Sequence, residues 1–403
     1  MQLLIQVVLQ GLVVIALAVL WVPALSELCC LLRRRPLAPR RVMPVVPERL
    51  LFLVPAHNEE LHIGDCVRSL VALDYPVEAR RIIVVADNCI DSTAAIASEA
   101  GAECLVRADP AQRGKPRALA WAIPQLDIAA WDAVVIVDAD TVVEPDFGWG
   151  LCQRGPLREV AVQGTVLANN EWDNWLTRLG GMLARCRYEV TYPIKNAGGL
   201  NIPLTGNGMA IGSGVLIRLG WNAYSIAEDS ELYAQYTIEG IPILHAPLAT
   251  VLSAEPVRLG EGATQRRRWL AGRLEILRAN WRALLASPNV GWHQRLDLVG
   301  ELLLSNPVVH LILGGLLAMV ALLLFPTPYG WVVAILSLGS LSAIAITTAS
   351  VLRHHPQRRE TMRAFLWLPF YVFWRAALFL WTLVTLSDRR WHRSPRQRRR
   401  PAP

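Results

Sequence analysis

The chain has 403 residues, of which 53% are apolar, and its mean hydropathy is +0.32. This composition is too apolar for an ordinary soluble enzyme of this length, but it suits one large α/β domain joined to membrane segments. The formal net charge is +7. Because the arginine clusters border apolar segments, they favour contact with anionic lipid and argue against a nucleic-acid groove. The seven cysteines lack metal-site spacing and suit a reducing cytosol.

The first apolar segment covers residues 3–32, and a bilayer needs roughly 20 residues to be spanned. Arginines follow it at once, and no basic stretch precedes it. This pattern predicts an uncleaved transmembrane helix over 1–32, a basic proline-rich linker over 33–49, and a following domain in the cytoplasm. We therefore expect an integral protein of the cell (inner) membrane.

Residues 50–260 alternate strand-like and helix-like patterns, which predicts an α/β domain with a parallel sheet covered by helices. The predicted strands cover 50–54, 81–86, 103–106 and 133–137, and the predicted helices cover 62–73, 91–100 and 115–123. Ligands on such sheets bind beyond the carboxyl ends of the strands. Three of these ends carry polar clusters, at 57–60, 87–88 and 138–140, so this edge is the predicted binding site.

Asp138 and Asp140 directly follow the apolar run 134–137. Side chains two residues apart on a strand point the same way, so both carboxylates can converge on one point at the strand's end. Hard oxygen ligands in this position suit a divalent cation that carries a phosphorylated ligand.

Two further residues at this edge each have two interpretations. Asp87 ends the second strand, where its carboxylate could accept hydrogen bonds from a base or ribose, or only form a turn. Lys115 follows Arg113-Gly114 at the start of a helix, where its charge could meet a phosphate or only be solvated. The spacing is not that of a Walker loop.

The second half of the domain offers two more candidates. Glu228 and Asp229 begin a helix, where they complement the helix dipole or present a general base. The run 265–269, Gln-Arg-Arg-Arg-Trp, heads a basic helix that reaches about residue 286, and such a helix is also typical of one lying on anionic lipid. We assign 261–297 to this run and to interfacial amphipathic helices.

The C-terminal part is apolar again. Residues 298–325 and 331–352 are predicted transmembrane helices. The block 364–386 contains Arg375 and has basic flanks on both sides, so it either spans the bilayer or forms a re-entrant or interfacial segment. A basic tail over 387–403 is predicted to be disordered.

Six elements occur in order along the chain: Val54-Pro-Ala-His-Asn-Glu59, Ala86-Asp87-Asn88, Gly114-Lys115, Asp138-Ala-Asp140, Ala227-Glu228-Asp229 and Gln265-x-x-Arg268-Trp269. Together they resemble the family 2 inverting glycosyltransferases of GT-A fold, especially the membrane-embedded branch of cellulose, hyaluronan, chitin and poly-N-acetylglucosamine synthases. The resemblance covers about residues 50–275, and the Gln-x-x-Arg-Trp element is its most specific part. It implies a Rossmann-like sheet that binds a nucleotide sugar, flanked here by transmembrane helices.

The resemblance also implies a role for each matching residue. Asp229 would be the catalytic base. The donor would contact Pro55, Glu59, Asp87, Lys115 and Asp138, and Asp140 together with Asp138 would bind Mg²⁺ or Mn²⁺. The acceptor and the pyrophosphate would contact Glu228, Gln265, Arg268 and Trp269.

Two other segments keep open interpretations. The run 205–210, Thr-Gly-Asn-Gly-Met-Ala, stands near the place where the family has a segment that contacts the acceptor, or it marks a hairpin turn. The predicted helix 171–196 could lie on the membrane or form one side of the acceptor entrance.

The implied function is that of a membrane-bound inverting hexosyltransferase, which transfers sugar from a nucleotide-diphosphate sugar to a growing β-linked polysaccharide at the cytoplasmic membrane face. The alternative is transfer of one or few sugars to a lipid acceptor. The Gln-x-x-Arg-Trp element favours the polymer, whereas the short membrane region favours the lipid. A non-catalytic scaffold or export partner and a sugar nucleotidyltransferase explain the retained acidic residues less well. Expected partners are the donor, the acceptor and membrane lipid, with a homo-oligomer or an export partner possible and no nucleic acid.

Overall fold

The computed structural model describes residues 1–33, 46–304 and 307–384. Most of the predicted linker 33–49 and the whole of the predicted tail 387–403 lie outside these ranges.

One mixed sheet of eight strands organises the domain, with the strand order β3-β2-β1-β4-β7-β6-β8-β5. The strands are β1 (Leu50–Ala56), β2 (Arg80–Asp87), β3 (Glu103–Arg107), β4 (Ala133–Ile136), β5 (Val142–Val143), β6 (Ala161–Ala168), β7 (Met209–Gly212) and β8 (Ile243–Ser253). Strands β1 to β4 run parallel, as predicted, but β7 runs antiparallel to both β4 and β6. The α/β class is confirmed, and the expectation of a wholly parallel sheet is wrong.

Helices cover both faces of the sheet and extend beyond it. In the domain they are α2 (Ile63–Val71), α3 (Thr93–Glu99), α4 (Lys115–Ala122), α5 (Phe147–Cys152), α6 (Trp175–Arg185), α7 (Tyr192–Ala197), α8 (Ser213–Leu219), α9 (Glu228–Ile238) and α10 (Leu259–Ala286). The flanking helices are α1 (Gln2–Arg33), α11 (Trp292–Leu304), α12 (Pro307–Leu324), α13 (Pro328–Gly339), α14 (Ser342–His354), α15 (Arg358–Ala364) and α16 (Leu368–Val384).

The strand β1 shows why the parallel half forms. All seven of its residues are buried. Leu51 and Leu53 enter the core on one face of the sheet, while Leu50, Phe52 and Val54 enter the core on the other. A strand that is buried on both faces is a continuous apolar run rather than an alternating one, as in parallel sheets covered by helices.

Asparagines hold the loops at the carboxyl ends of β1 and β2. Asn58 and Asn88 both have positive φ, near 53° and 52°, and asparagine adopts this region more readily than most residues. The Oδ1 atom of Asn58 accepts from the Ile90 amide at 2.8 Å, and Nδ2 of Asn88 donates to the Asp109 carbonyl at 3.1 Å. These bonds tie the loops together at the edge where ligands bind.

Within the described ranges, four stretches are long and apolar enough to cross a membrane: Gln6–Leu32, Pro307–Leu324, Pro328–His354 and Arg358–Thr382. The predicted span 298–325 contains α11 up to Leu304 and α12 from Pro307, and residues 305–306 lie outside the described ranges. Glu301 belongs to α11 and pairs with Lys195 of the domain, so this part of the predicted span packs on protein. The predicted helix 171–196 begins only at Trp175, where Asn174 caps it, and a π-helical turn over 186–191 separates α6 from α7.

Candidate active site

Lys115 is at the centre of a charged cluster beyond the end of β4. Its Nζ donates to Asp138 Oδ1 at 2.6 Å and to the Gly206 carbonyl at 2.5 Å, and it lies 3.4 Å from Glu228 Oε1. Gly114, with φ near 108°, precedes it and turns the chain into α4. Burial alone would lower the pKa of Lys115, but Asp138 and Glu228 outweigh it and raise the pKa. The solvated alternative for Lys115 is therefore wrong.

The acidic pair that begins α9 borders the same cluster. A Cβ placed on Gly206 would lie 3.3 Å from Lys115 Nζ and 3.5 Å from Asp229 Oδ2, so this glycine separates the lysine from Asp229. Burial raises the pKa of Glu228, Lys115 opposes the rise, and Asp229 adds to it. A carboxyl group in this position therefore holds its proton more firmly than an exposed glutamate.

The loop before β7, which includes residues 206–208, forms part of the candidate site. Gly206 and Gly208 have positive φ, near 77° and 62°, which glycine adopts without strain. Between them, Asn207 accepts from the Asp138 amide at 3.1 Å and donates to Thr141 Oγ1 at 2.8 Å. Gln163 of β6 fixes the loop from behind by donating to the Asn207 carbonyl at 2.9 Å. The hairpin interpretation of 205–210 is wrong, because the loop leads from α7 into β7 beside β4.

Asp87 is held by protein groups at the end of β2. Its Oδ1 accepts from Arg107 Nη1 at 2.5 Å and from Asn88 Nδ2 at 2.9 Å, and its Oδ2 accepts from the Gly114 amide at 3.3 Å. The side chains of Asp87 and Arg107 are each 4% exposed. The pair links β2 and β3 to the start of α4, so Asp87 does more than form a turn. Contact with the nucleotide remains a prediction for this residue.

Pro55 and Glu59 support the same edge. Pro55 lies within β1, opposite Val85 of β2, and is buried. Glu59 is 8% exposed, and its amide donates to Thr93 Oγ1 at 2.7 Å. These positions suit residues that hold the donor-side loop in place, and direct contact with the donor remains a prediction.

The helix α10, which carries Gln265, Arg268 and Trp269, packs against the start of α9. A Cβ on Gly272 of α10 would meet the Cβ of Ala227 at 2.6 Å, so the two helices approach closely because this residue is glycine. Ala227 immediately precedes the acidic pair, and Trp269 is 41% exposed. Gly272 lies one helical turn after Arg268 and Trp269, and Ala227 lies two residues before Asp229. The helix α10 therefore packs against α9 close to the candidate base.

The sequence reasoning missed Arg107, and it considered Gly206 and Asn207 only as part of a segment that contacts the acceptor or marks a hairpin. Arg107 lies opposite Asp87 in the register of two parallel strands, and this pairing is the signal that could have revealed it. Gly206 and Asn207 lie in the Gly-Asn-Gly run, in which two glycines two residues apart indicate a strained turn near a ligand.

Asp138 and Asp140 are the candidate metal ligands. No group of three or more His, Cys, Asp or Glu side chains able to hold a metal occurs among the residues that the structure describes. Two carboxylates still fit Mg²⁺, which usually binds through one or two protein carboxylates and takes its other ligands from substrate phosphates and water. The donor set therefore suits a cation that arrives with a diphosphate.

Several known proteins are similar to this chain in sequence. The family model described as "Glycosyltransferase like family 2" matches residues 47–272. A "Beta-monoglucosyldiacylglycerol synthase" of Synechocystis sp. is 29% identical over 276 residues, which cover 64% of this chain and 54% of that protein. A "Poly-beta-1,6-N-acetyl-D-glucosamine synthase" of Staphylococcus aureus is 27% identical over 237 residues, which cover 57% of this chain and 56% of that protein. The chain thus spans just over half the length of these relatives.

Among solved structures, the mannosyltransferase PcManGT from Pyrobaculum calidifontis, in complex with GDP-Man and Mn²⁺, has a similar fold. It is 18% identical, the comparison covers 92% of this chain and 99% of the other, and the TM-score is 0.56. The family match covers more than half of the chain and includes every candidate site residue from Pro55 to Trp269. The chain belongs to the family described as "Glycosyltransferase like family 2".

Proposed function

We propose that the protein is a membrane-bound inverting glycosyltransferase that transfers a sugar from a nucleotide-diphosphate donor to an acceptor hydroxyl at the cytoplasmic membrane face. The observation that carries the proposal is the cluster of Lys115, Asp138 and Glu228, with Asp229 next to it across Gly206. It brings a phosphate-binding cation, a candidate metal ligand and a candidate base to one edge of the sheet.

Asp229 is the residue proposed to act on the acceptor. A sugar or glycerol hydroxyl is a poor nucleophile, and a carboxylate within hydrogen-bonding reach activates it by accepting its proton. The position of Asp229 at the start of α9 keeps the carboxylate at the edge of the cluster, where Ser230 N donates to its Oδ1 at 2.6 Å. Attack on the face opposite the leaving group then converts an α-linked donor into a β-linked product.

Lys115 and Asp138 are proposed to receive the donor. Lys115 is paired with Asp138 in the structure, and an incoming diphosphate offers the lysine an alternative anion while Asp138 turns to the donor side. A bound Mg²⁺ or Mn²⁺ on Asp138 and Asp140 would supply charge stabilisation for the leaving diphosphate. The complex of the similar mannosyltransferase with GDP-Man and Mn²⁺ supports a donor and a metal of this kind.

A path of contacts leads from Asp229 towards the flanking helices. Gly206 lies beside Asp229. The preceding residue, Thr205, forms a 2.9 Å hydrogen bond through its Oγ1 with the Tyr188 hydroxyl. The rings of Tyr188 and Tyr192 pack edge to face, with centroids 5.2 Å apart. Tyr192 lines a cavity of about 100 Å³ that lies among α1, α7, α11, α12 and α14.

The lining of this cavity is polar although apolar helices surround it. Lys195 Nζ donates to Asp297 Oδ1 at 2.8 Å and also to Glu301, and Glu27, Arg187 and His310 also line the cavity. Two cations and three carboxylates in one lining nearly balance in charge, and together with the hydroxyl groups they suit the hydroxyls of an uncharged headgroup. The sequence slightly favours a polymer acceptor. This cavity favours the alternative, a membrane lipid that presents a hydroxyl. The relatives at comparable identity make either kind of product, by their names.

The test uses the purified full chain in lipid nanodiscs with a panel of labelled nucleotide sugars, with Mg²⁺ or Mn²⁺, and with or without a lipid extract. We expect one donor to label a lipid-soluble product that carries one or few sugars. A long water-soluble polymer would contradict the lipid acceptor, and no transfer from any donor would contradict the proposed reaction.

A pair of substitutions on α14 tests the cavity itself. Ala343 lines the cavity, whereas Ala345 on the same helix is exposed. We expect Ala343→Leu to raise the KM for the lipid acceptor and to leave donor hydrolysis unchanged, while Ala345→Leu changes neither. Equal KM values for the two variants would show that the acceptor does not use the cavity.

A further inference from the structure

A second pocket, of about 40 Å³, lies between α10, α11, α12 and α16. Arg266 and Arg273 of α10 and Arg375 of α16 line it, and the rest of the lining is apolar apart from Thr382. No carboxylate belongs to the lining within the described ranges. Asp138, Lys115 and Asp229 do not line it, but Trp269 does, so the pocket adjoins the acceptor side of the proposed sugar-transfer site without including its base or its candidate metal ligands.

Two of the three arginines are deeply buried. Arg375 is 7% exposed and Arg266 is 8% exposed. Nε and Nη1 of Arg375 and Nη1 of Arg266 have no hydrogen-bond partner in the part of the chain that the structure describes. The Oε2 atom of Glu255 lies 3.7 Å from Arg266 Nη2, which is beyond hydrogen-bonding distance. Arg266 therefore has a distant ion pair with Glu255, whereas Arg375 has no ion pair among the described residues. A buried guanidinium without a counter-charge is costly, so Arg375 above all calls for an anion.

The shape and position of the pocket narrow the chemistry of that anion. Arginine donors arranged around one space match the oxygens of a phosphate group, and the volume accommodates roughly three waters, which is close to the size of a phosphate. Leu378 and Thr382 of the lining belong to α16, and Val309 belongs to α12. Both helices lie in candidate membrane spans, so the pocket is within reach of lipid headgroups.

We propose that Arg266, Arg273 and Arg375 form a binding site for the phosphate of an anionic membrane lipid. The bound phosphate would supply the counter-charge that Arg375 lacks among the described residues, and it would tie α10 to α16. This role explains why α16 carries an arginine in the middle of an apolar helix and turns it towards protein. It also gives a role to Arg266, which lies within the run 265–269 but is not specified by the Gln-x-x-Arg-Trp pattern.

The test measures binding to the full chain, purified in detergent and freed of lipid. Three ligands are titrated separately: dioctanoyl phosphatidic acid, dioctanoylglycerol without the phosphate, and inorganic phosphate. We expect saturable binding of phosphatidic acid that is at least ten-fold weaker in Arg375→Met and in Arg266→Met. The control Arg282→Met changes an exposed arginine of α10 and should bind as the unchanged protein does.

A thermal melt of the lipid-free protein separates binding from a structural role. Because Arg375→Met replaces an uncompensated buried charge with an apolar side chain, we expect its Tm to equal or exceed that of the unchanged protein, and phosphatidic acid to raise the Tm only of the latter. Unaltered binding of phosphatidic acid in both pocket variants would overturn the site. Equal affinity for inorganic phosphate, or for dioctanoylglycerol, would overturn its assignment to a lipid phosphate.

Discussion

The cations at the sheet edge and those in the pocket among α10, α11, α12 and α16 differ in how the protein compensates their charge. At the sheet edge, Lys115 is bound to Asp138, and Arg107 is bound to Asp87. In the pocket, Arg375 has no ion pair among the described residues, and its Nε and Nη1 lack partners there, while Arg266 lies 3.7 Å from Glu255. A paired cation is stable in the absence of ligand and can exchange its partner, whereas an unpaired buried cation requires a ligand to supply the missing charge.

This difference separates two ways of preparing a site for phosphate. The sheet edge keeps its own carboxylates beside the lysine, so it can release and rebind a donor in each turnover. The arginine pocket has no competing carboxylate in its lining, which suits a ligand that stays bound. Substitutions can distinguish the charged residues that take part in the reaction from those that stabilise the fold.

The largest effect is expected from Asp229→Asn. If Asp229 accepts the proton of the acceptor, kcat should fall by about 10²–10⁴-fold, while the Kd for the donor nucleotide stays nearly unchanged. Transfer assays and nucleotide titration measure the two quantities. The control Glu239→Gln alters an exposed carboxylate at the other end of α9 and should retain full activity. Loss of nucleotide binding in Asp229→Asn would refute the assignment of the base.

Asp140→Asn should affect the donor rather than the acceptor. We expect Mn²⁺-dependent nucleotide binding to weaken by at least about ten-fold, because one of two protein oxygen ligands loses its charge. Asp146→Asn, in an exposed position shortly after it, serves as the control. In the unchanged protein, EDTA should abolish transfer and added Mg²⁺ or Mn²⁺ should restore it. Activity that survives EDTA would rule out the metal site.

Arg107→Met removes the cation of the buried ion pair with Asp87 at the sheet edge. Removal of one partner of a buried ion pair leaves Asp87 uncompensated, and we expect the free energy of unfolding to fall by about 3–5 kcal/mol. Chemical unfolding of the two variants Arg107→Met and Arg375→Met in lipid-free form measures the contrast, since the second should not destabilise the protein. Equal losses in both would mean that the two regions do not differ as described.

A smaller effect is expected where α10 meets α9. Gly272→Ala places a methyl group 2.6 Å from the Ala227 Cβ, and such overpacking costs about 1–3 kcal/mol. The shift of α10 should also reduce kcat, because it moves the motif helix relative to Asp229. Gly260→Ala on the same helix meets no atom within 4 Å and should be neutral or slightly stabilising. Thermal melts and transfer rates that do not differ between the two variants would contradict the close packing.

The parallel half of the sheet could be predicted from the sequence because its signals are local. The run before Asp138 is apolar and β-branched, and the fold rule for parallel strands then places the polar ends at one edge. The antiparallel strand β7 was not predicted, because its four residues, Met209–Gly212, carry no such pattern. Its place between β4 and β6 depends on pairing over long sequence separations.

The candidate site was predictable in its residues but not in its contacts. Motif spacing identified Lys115, Asp138 and Asp229, yet nothing in the spacing indicated that Gly206 lies between the lysine and the base. The packing of Glu301 on the domain was likewise hidden, because its partner is Lys195, more than a hundred residues earlier. Contacts of this kind arise from tertiary packing, which periodicity does not encode.

The most direct test of the central claim is the anomeric configuration of the sugar in the first transferred product. Once the panel has identified an α-linked nucleotide donor, NMR of the isolated product reports the new linkage through the coupling of the anomeric proton. A single displacement assisted by Asp229 predicts a β linkage. An α linkage would contradict the proposed reaction and the role of Asp229 as its base.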